Sequence, residues 1–135
     1  MDGYAGTGAI GIEALSRGAA HVTFVENNRR AAALIAENLQ GCGVEEGYTI
    51  QCAEIAAALD GWPAADAFDL ILLDPPYDHA HVNATLEAAA RRLGDNGLVV
   101  LERATRQEPP DCAALVRTRD VKSGDSTLTF FERRP

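Results

Sequence analysis

Three short apolar runs, each closed by an acid, restrict what this chain can fold into. They are residues 21–26 (HVTFVE), 68–74 (FDLILLD) and 97–102 (GLVVLE). Runs of this length and composition, bounded by glycine, proline and polar residues, read as buried strands. Between them the apolar spacing becomes helical: Ala31, Leu34, Ile35 and Leu39 share one helix face, and Val82, Leu86, Ala89, Ala90 and Leu93 share another. Gly41 and Gly94 are expected to stop these two helices. A weaker strand is expected over 48–52, with a short helix over 55–59 ahead of the Gly61-Trp62-Pro63 break. Strands alternating with helices predict an α/β fold with a mostly parallel sheet, helices on both faces and a rim carrying three carboxylates. The tail departs from this pattern. Residues 116–122 and 127–132 are extended runs joined by Ser123-Gly124-Asp125-Ser126, which predicts an antiparallel hairpin at the end of the sheet.

A chain of 135 residues is expected to form a single domain over 1–135, with one sheet and one site. Its apolar fraction of 47% with 24% charged residues is that of an ordinary globular protein, and no run approaches the roughly 18 apolar residues of a membrane helix. The amino terminus lacks a basic region followed by an apolar stretch, so the expected location is cytoplasmic. Cys42, Cys52 and Cys112 form neither a CxxC pair nor an even set and read as reduced thiols, mostly packed. His79 and His81 have no third ligand type near them in sequence, so no metal is expected. The formal net charge of −8 argues against a free-standing nucleic-acid binder.

Asp2-Gly3-Tyr4-Ala5-Gly6-Thr7-Gly8-Ala9-Ile10-Gly11 runs directly into a helix with apolar residues at Ile10, Ile12 and Leu15. Gly6-x-Gly8-x-x-Gly11 has the spacing of a dinucleotide loop, and Glu26 ends the next strand, where ribose hydroxyls need an acceptor. That pair alone leaves NAD and S-adenosylmethionine open. Asp2 beside the turn suits a ligand carrying an ammonium and a sulfonium better than one carrying a pyrophosphate.

The second motif is Asp74-Pro75-Pro76-Tyr77, placed where an apolar strand ends. The Asp74 carboxylate and the Pro75 carbonyl can accept the two hydrogens of a planar amine, while Tyr77 stacks on the ring that bears it. Hydride transfer has no use for such a set. Methylation of a nucleobase amine does.

With these segments assembled, the chain resembles class I S-adenosylmethionine-dependent methyltransferases, whose fold is Rossmann-like, and more narrowly the RsmD family of 16S ribosomal RNA guanine-N2 methyltransferases. The resemblance is carried by residues 2–19, the strand 21–26, the FDLILLDPPY run, 98–102 and the tail 124–130, so it spans nearly the whole chain. Asp-Pro-Pro-Tyr marks amino-methyltransferases in general, whereas Glu13-Ala-Leu-Ser-Arg-Gly-Ala19 and the Gly-Asp hairpin point to the ribosomal RNA family. The resemblance implies that Asp2, Tyr4, Ala5, Gly6, Thr7 and Gly8 wrap the methionine part of S-adenosylmethionine. It implies further that Glu26 holds the ribose, that Asn27 lies beside the adenine, and that Asp74 adjoins both cofactor and amine. Glu54-Ile55 falls where the family has Asp-Ala against the adenine edge. Family members also carry a basic extension and most of a first strand upstream of the glycine loop, so the chain reads as amino-terminally truncated, with an unpaired groove expected in the sheet.

The expected partner is small-subunit ribosomal RNA within an assembling or assembled subunit, with the enzyme a monomer. Two further readings share the same residues: an adenine-N6 DNA or RNA methyltransferase, and a truncated, non-catalytic cofactor-binding remnant. An NAD-dependent dehydrogenase is a more distant one.

Overall fold

The computed structural model describes residues 1–76 and 81–135, which form two compact units, Met1–Ala58 and Leu59–Pro135. Tyr77 and His79 therefore lie outside the described residues.

In the first unit, β1 (Asp2–Gly3), α1 (Ala9–Ser16), β2 (Val22–Glu26), α2 (Arg29–Gly41) and β3 (Tyr48–Cys52) alternate. β1 pairs in parallel with β2, with Asp2 opposite Phe24 and Gly3 opposite Val25; β2 pairs in parallel with β3 from Val22/Tyr48 to Glu26/Cys52. Although the first strand has only two residues, it is present and Met1 beside it is buried. Both helices pack on the Val22/Phe24 face of β2, and Ile35 and Leu39 are fully buried there with Phe24. Each such side chain contributes roughly 1.5–3 kcal/mol by leaving water.

The helical face is rotated slightly from the expected one. Ala32, Ile35 and Leu39 are buried in α2, whereas Leu34 is 38% exposed. In α1 the buried residue is Gly11, and Ile10 is 45% exposed. Ile12 and Leu15 pack against the same core as expected, and only Ile10 departs, because the helix lies so close to the Phe24 ring that Gly11 is its most deeply buried residue.

The second unit begins within α3 (Ile55–Gly61), two residues longer than expected. It continues with β4 (Phe68–Leu73), α4 (Val82–Arg92), β5 (Leu93–Ala104), β6 (Leu115–Ser123) and β7 (Ser126–Arg133). β4 runs parallel to β5, from Leu70/Leu98 to Leu73/Leu101. β7 is antiparallel to β5 and to β6, so the expected hairpin stands, with an irregularity at Arg117/Arg119. One face of this sheet is buried at Val99, Leu101, Thr127, Thr129 and Phe131, and α4 contacts β5 and β6.

Gly94 does not follow α4 as a separate stop. β5 begins at Leu93, which pairs with Phe68 before a register shift restores the ladder at Leu98. Gly97 allows that shift, since a Cβ there would lie 2.6 Å from Leu93 Cδ1. Among the cysteines, Cys112 is buried, whereas Cys42 and Cys52 are exposed, so the packing role expected for most of them holds for one. Among the described residues no helix is long and apolar enough to cross a membrane.

Candidate functional site

The glycine loop of the first unit is built around two carboxylates. Asp2 is 3% exposed, and its Oδ2 accepts a hydrogen bond from the Gly11 amide at 3.0 Å. It thereby fixes the first turn of α1 to the end of β1, using a charge-assisted bond where the helix has free amides. The sequence placed Asp2 beside a cationic ligand; the structure shows this oxygen already holding the backbone. Glu26, half-buried at the end of β2, accepts from Gly6 N through Oε1 at 2.9 Å and from Asn28 N through Oε2 at 2.7 Å. A carboxylate has about four acceptor positions, so Glu26 keeps capacity for hydroxyl donors.

The loop between β1 and α1 is strongly turned. Tyr4, Gly6 and Gly8 all have positive φ, at 57°, 58° and 82°. A left-handed conformation at a tyrosine is uncommon and strained. A Cβ on Gly6 would meet nothing within 4 Å, leaving open space over the loop backbone, whereas one on Gly8 would lie 3.1 Å from Ile35 Cγ2. Gly6 thus leaves room for a ligand to approach the backbone, and Gly8 lets the loop close on α2. Asn38 Nδ2 donates to Thr7 O at 2.9 Å and ties α2 to the same loop. The sequence reading missed Asn38; it lies one residue before core Leu39, and only the packing of α2 brings it to Thr7.

The three expected adenine-side residues, Asn27, Glu54 and Ile55, also make contacts within the protein. Glu54 accepts from Ala56 N and Ala57 N at 3.1 and 2.9 Å, so it caps α3. The Ile55 side chain is 3% exposed and belongs to the core. Asn27 accepts at its carbonyl from Cys52 Sγ at 3.9 Å, while the neighbouring Asn28 side chain caps α2 through Ala31 N at 3.0 Å.

In the second unit, Asp74 follows the last residue of β4. Because Leu73 pairs with Leu101, the next position along β5 is Glu102, and the two carboxyl groups are neighbours. Partial burial, together with the Glu102 charge and a hydrogen bond between the two carboxyls, pushes Asp74 up to about 6. Pro75 is buried and Pro76 exposed. Both border a cavity of about 200 Å³ whose wall also includes Glu102, Arg103, Gln107 and Pro110. Pockets for drug-sized ligands run to roughly 300–1,000 Å³, so this one suits a small flat group. Arg103 is directed elsewhere: it donates to Thr129 Oγ1 at 2.9 Å and to the Gln107 carbonyl at 2.7 Å, and it pairs with Asp120 at 3.3 Å. It does not cancel the acidic pair.

These elements define an α/β protein with the class I methyltransferase fold, mostly parallel in its sheet and ending in an antiparallel hairpin. A structure described as a putative methylase of Haemophilus influenzae superposes with a TM-score of 0.83 over 98% of this chain and 84% of that one, at 24% identity, a likeness of fold. The family model described as "Conserved hypothetical protein 95" matches residues 1–132. The Bacillus subtilis protein named "Putative rRNA methyltransferase YlbH" is 30% identical over 138 residues, covering 99% of this chain and 75% of that protein. Ribosomal RNA small subunit methyltransferase D of Haemophilus influenzae is 33% identical over 107 residues, covering 73% of this chain and 50% of the relative. The chain belongs to this family, the RsmD family of methyltransferases.

Proposed function

We propose that this protein transfers a methyl group from S-adenosylmethionine to the exocyclic N2 amine of a guanine in small-subunit (16S) ribosomal RNA, in the cytoplasm. The observation that carries the reading is Asp74-Pro75-Pro76 at the carboxyl end of β4, with the Asp74 carboxyl raised to about 6 and a small cavity beside the two prolines. The relatives named as ribosomal RNA methyltransferases support the substrate.

The glycine loop fits the proposed cofactor. Gly6 faces open space and Glu26 retains acceptor positions for ribose hydroxyls, while the buried acid Asp2 beside the turn favours a cationic ligand over a pyrophosphate. Gly6, Thr7, Gly8 and Glu26 would hold the cofactor, with Asp2 acting through Gly11 to keep the loop in shape. When bound, S-adenosylmethionine supplies an electrophilic methyl group on a sulfonium.

The residues of the second unit act on the amine. Its lone pair is delocalised into the purine ring, which makes it a weak nucleophile. Ionised Asp74 and the Pro75 carbonyl accept its two hydrogens and draw the nitrogen toward tetrahedral geometry, freeing the lone pair for the new N–C bond. The nitrogen becomes acidic only as that bond forms, and its surplus proton then passes to Asp74 or water. Tyr77 supplies the stacking surface for a base drawn out of its helix.

The test uses the protein with methyl-labelled cofactor and unmethylated small-subunit RNA or subunits, followed by digestion to nucleosides. Label in N2-methylguanosine is expected, with Asp74→Asn lowering the rate by about a hundredfold or more, the scale of losing a positioned acid–base group. Label in N6-methyladenosine or DNA would instead favour the adenine reading. Calorimetry with S-adenosylhomocysteine, expected to show binding where NADH shows none, checks the cofactor.

A further inference from the structure

Glu102 is not used by the amine chemistry above, yet it stands at the same strand end as Asp74. Two carboxyl groups side by side repel when both are ionised, so this arrangement costs stability in the empty protein. Arg103, the adjacent cation in sequence, is committed to Thr129, Asp120 and the Gln107 carbonyl. A ligand edge carrying two neighbouring hydrogen-bond donors relieves the repulsion, and purines differ in this respect. Guanine offers its ring N1–H next to the C2 amine, whereas adenine offers an amine next to a bare N1 lone pair.

We infer that Glu102 selects the base: its carboxylate, beside Asp74 and on the wall of the cavity bordered by Pro75 and Pro76, accepts the guanine N1–H while Asp74 accepts the amine. This deepens the proposed function and rests on it. Two acceptors against two donors favour guanine. An adenine amine placed at Asp74 would set its N1 lone pair against the Glu102 carboxylate, acceptor facing acceptor. Sites built to bond a donor reject analogues that lack it strongly, because their own buried polar groups are left unpaired. Asp74 by itself cannot make this distinction, since both bases carry an amine.

The experiment begins by mapping the guanine that the wild-type protein labels in small-subunit RNA. RNA fragments carrying that position as guanine or as 2-aminopurine are then compared; 2-aminopurine keeps the C2 amine and loses the N1–H. Wild type is expected to prefer guanine in kcat/KM by roughly tenfold to a hundredfold, the discrimination typical of one well-made base contact. Glu102→Gln is expected to bring the two substrates within about threefold of each other, because an amide can accept from N1–H or donate to a bare N1. Equal use of both fragments by wild type overturns the inference whatever the variants do. An unchanged preference in a folded Glu102→Gln protein also overturns it, since a merely structural role would lower both rates together. Should Glu102→Gln fail to fold, Glu102→Asp, whose carboxylate is one methylene short of N1, is expected to lose part of the preference; a fully retained preference counts against the role. If wild type labels no guanine at all, the proposed function fails first, and the two failures are told apart.

Discussion

Asp74 holds its proton to about pH 6 because burial and the Glu102 carboxylate both disfavour its ionised form. The ionised carboxylate is the stronger acceptor and alone can take up the surplus proton, so methyl transfer should fall as pH drops through about 6. In Glu102→Gln the like charge is gone, and the acidic limb of the rate profile should move down toward the ordinary carboxylate range; a limb that stays in place would remove Glu102 as a cause. Stability runs the other way. Between the ordinary carboxyl value and about 6 the folded protein binds more protons than the unfolded chain, so stability falls as pH rises through that window. Asp74→Asn should therefore raise the melting temperature modestly at pH 8 and leave it nearly unchanged at pH 4, with transfer at pH 8 down by about a hundredfold or more. The motif itself was legible in the sequence, as was the run of acids at strand ends. The pairing of Asp74 with Glu102 was not, because it depends on which residue of β4 faces which residue of β5, and the irregularity between Leu93 and Leu98 sets that register.

At the scale of elements, α1 shows how an apolar pattern misleads. The glycine loop, its helix and the packing of Ile12 and Leu15 were readable from spacing, but the closest contact of α1 was not, because it is made through an absent side chain. A Cβ on Gly11 would lie 2.3 Å from Phe24 Cε1 and 2.9 Å from Val22 Cγ1, and Phe24 is fully buried. Alanine in place of an internal helical glycine gains up to about 1 kcal/mol in propensity. Overpacking a filled core costs roughly 1–3 kcal/mol, so the clash wins and Gly11→Ala should destabilise the fold. It should also weaken S-adenosylhomocysteine binding, because the Gly11 amide is the donor that Asp2 holds. Gly41, at the end of α2, is the control: a Cβ there meets nothing within 4 Å, and Gly41→Ala should be neutral or slightly stabilising. Denaturant titration of the two variants checks the predicted opposite signs. Glu54 carries a related lesson. Its side chain caps the start of α3 through the Ala56 and Ala57 amides, which take two of the roughly four acceptor positions of a carboxylate. A family pattern with aspartate at that position could not reveal this.

For the molecule as a whole, the net charge of −8 has to be reconciled with a ribosomal RNA substrate. The imbalance is uneven along the chain: residues 103–135 hold seven of the twelve basic residues and five of the twenty acids. Fewer of these cations are free for phosphates than the count suggests. Arg103 is buried and bonded, and Arg134 donates to the Ala113 and Leu115 carbonyls. Arg133 is held by the Ala90 carbonyl and Asp95, so exposed Arg106 remains together with Arg117, Arg119 and Lys122 along β6, Arg119 resting 4.3 Å from the Phe130 ring centre and Arg117 within 3.9 Å of Asp120. About four phosphate contacts to a single strand give a log–log salt slope near −3, a weak electrostatic contribution, which the acidic remainder of the chain reduces further. Tight binding to naked RNA is therefore not expected. Transfer to assembled or assembling small subunits should proceed at a lower KM than transfer to the naked transcript. Between 50 and 300 mM salt, log KM for the transcript should rise with a slope no steeper than about 3 against log salt. Arg119→Ala should raise KM while leaving kcat nearly unchanged, since it lies on β6 rather than at the Asp74 strand end. Equal KM values for transcript and subunit, or a much steeper slope, would show that the charge distribution does not govern substrate choice.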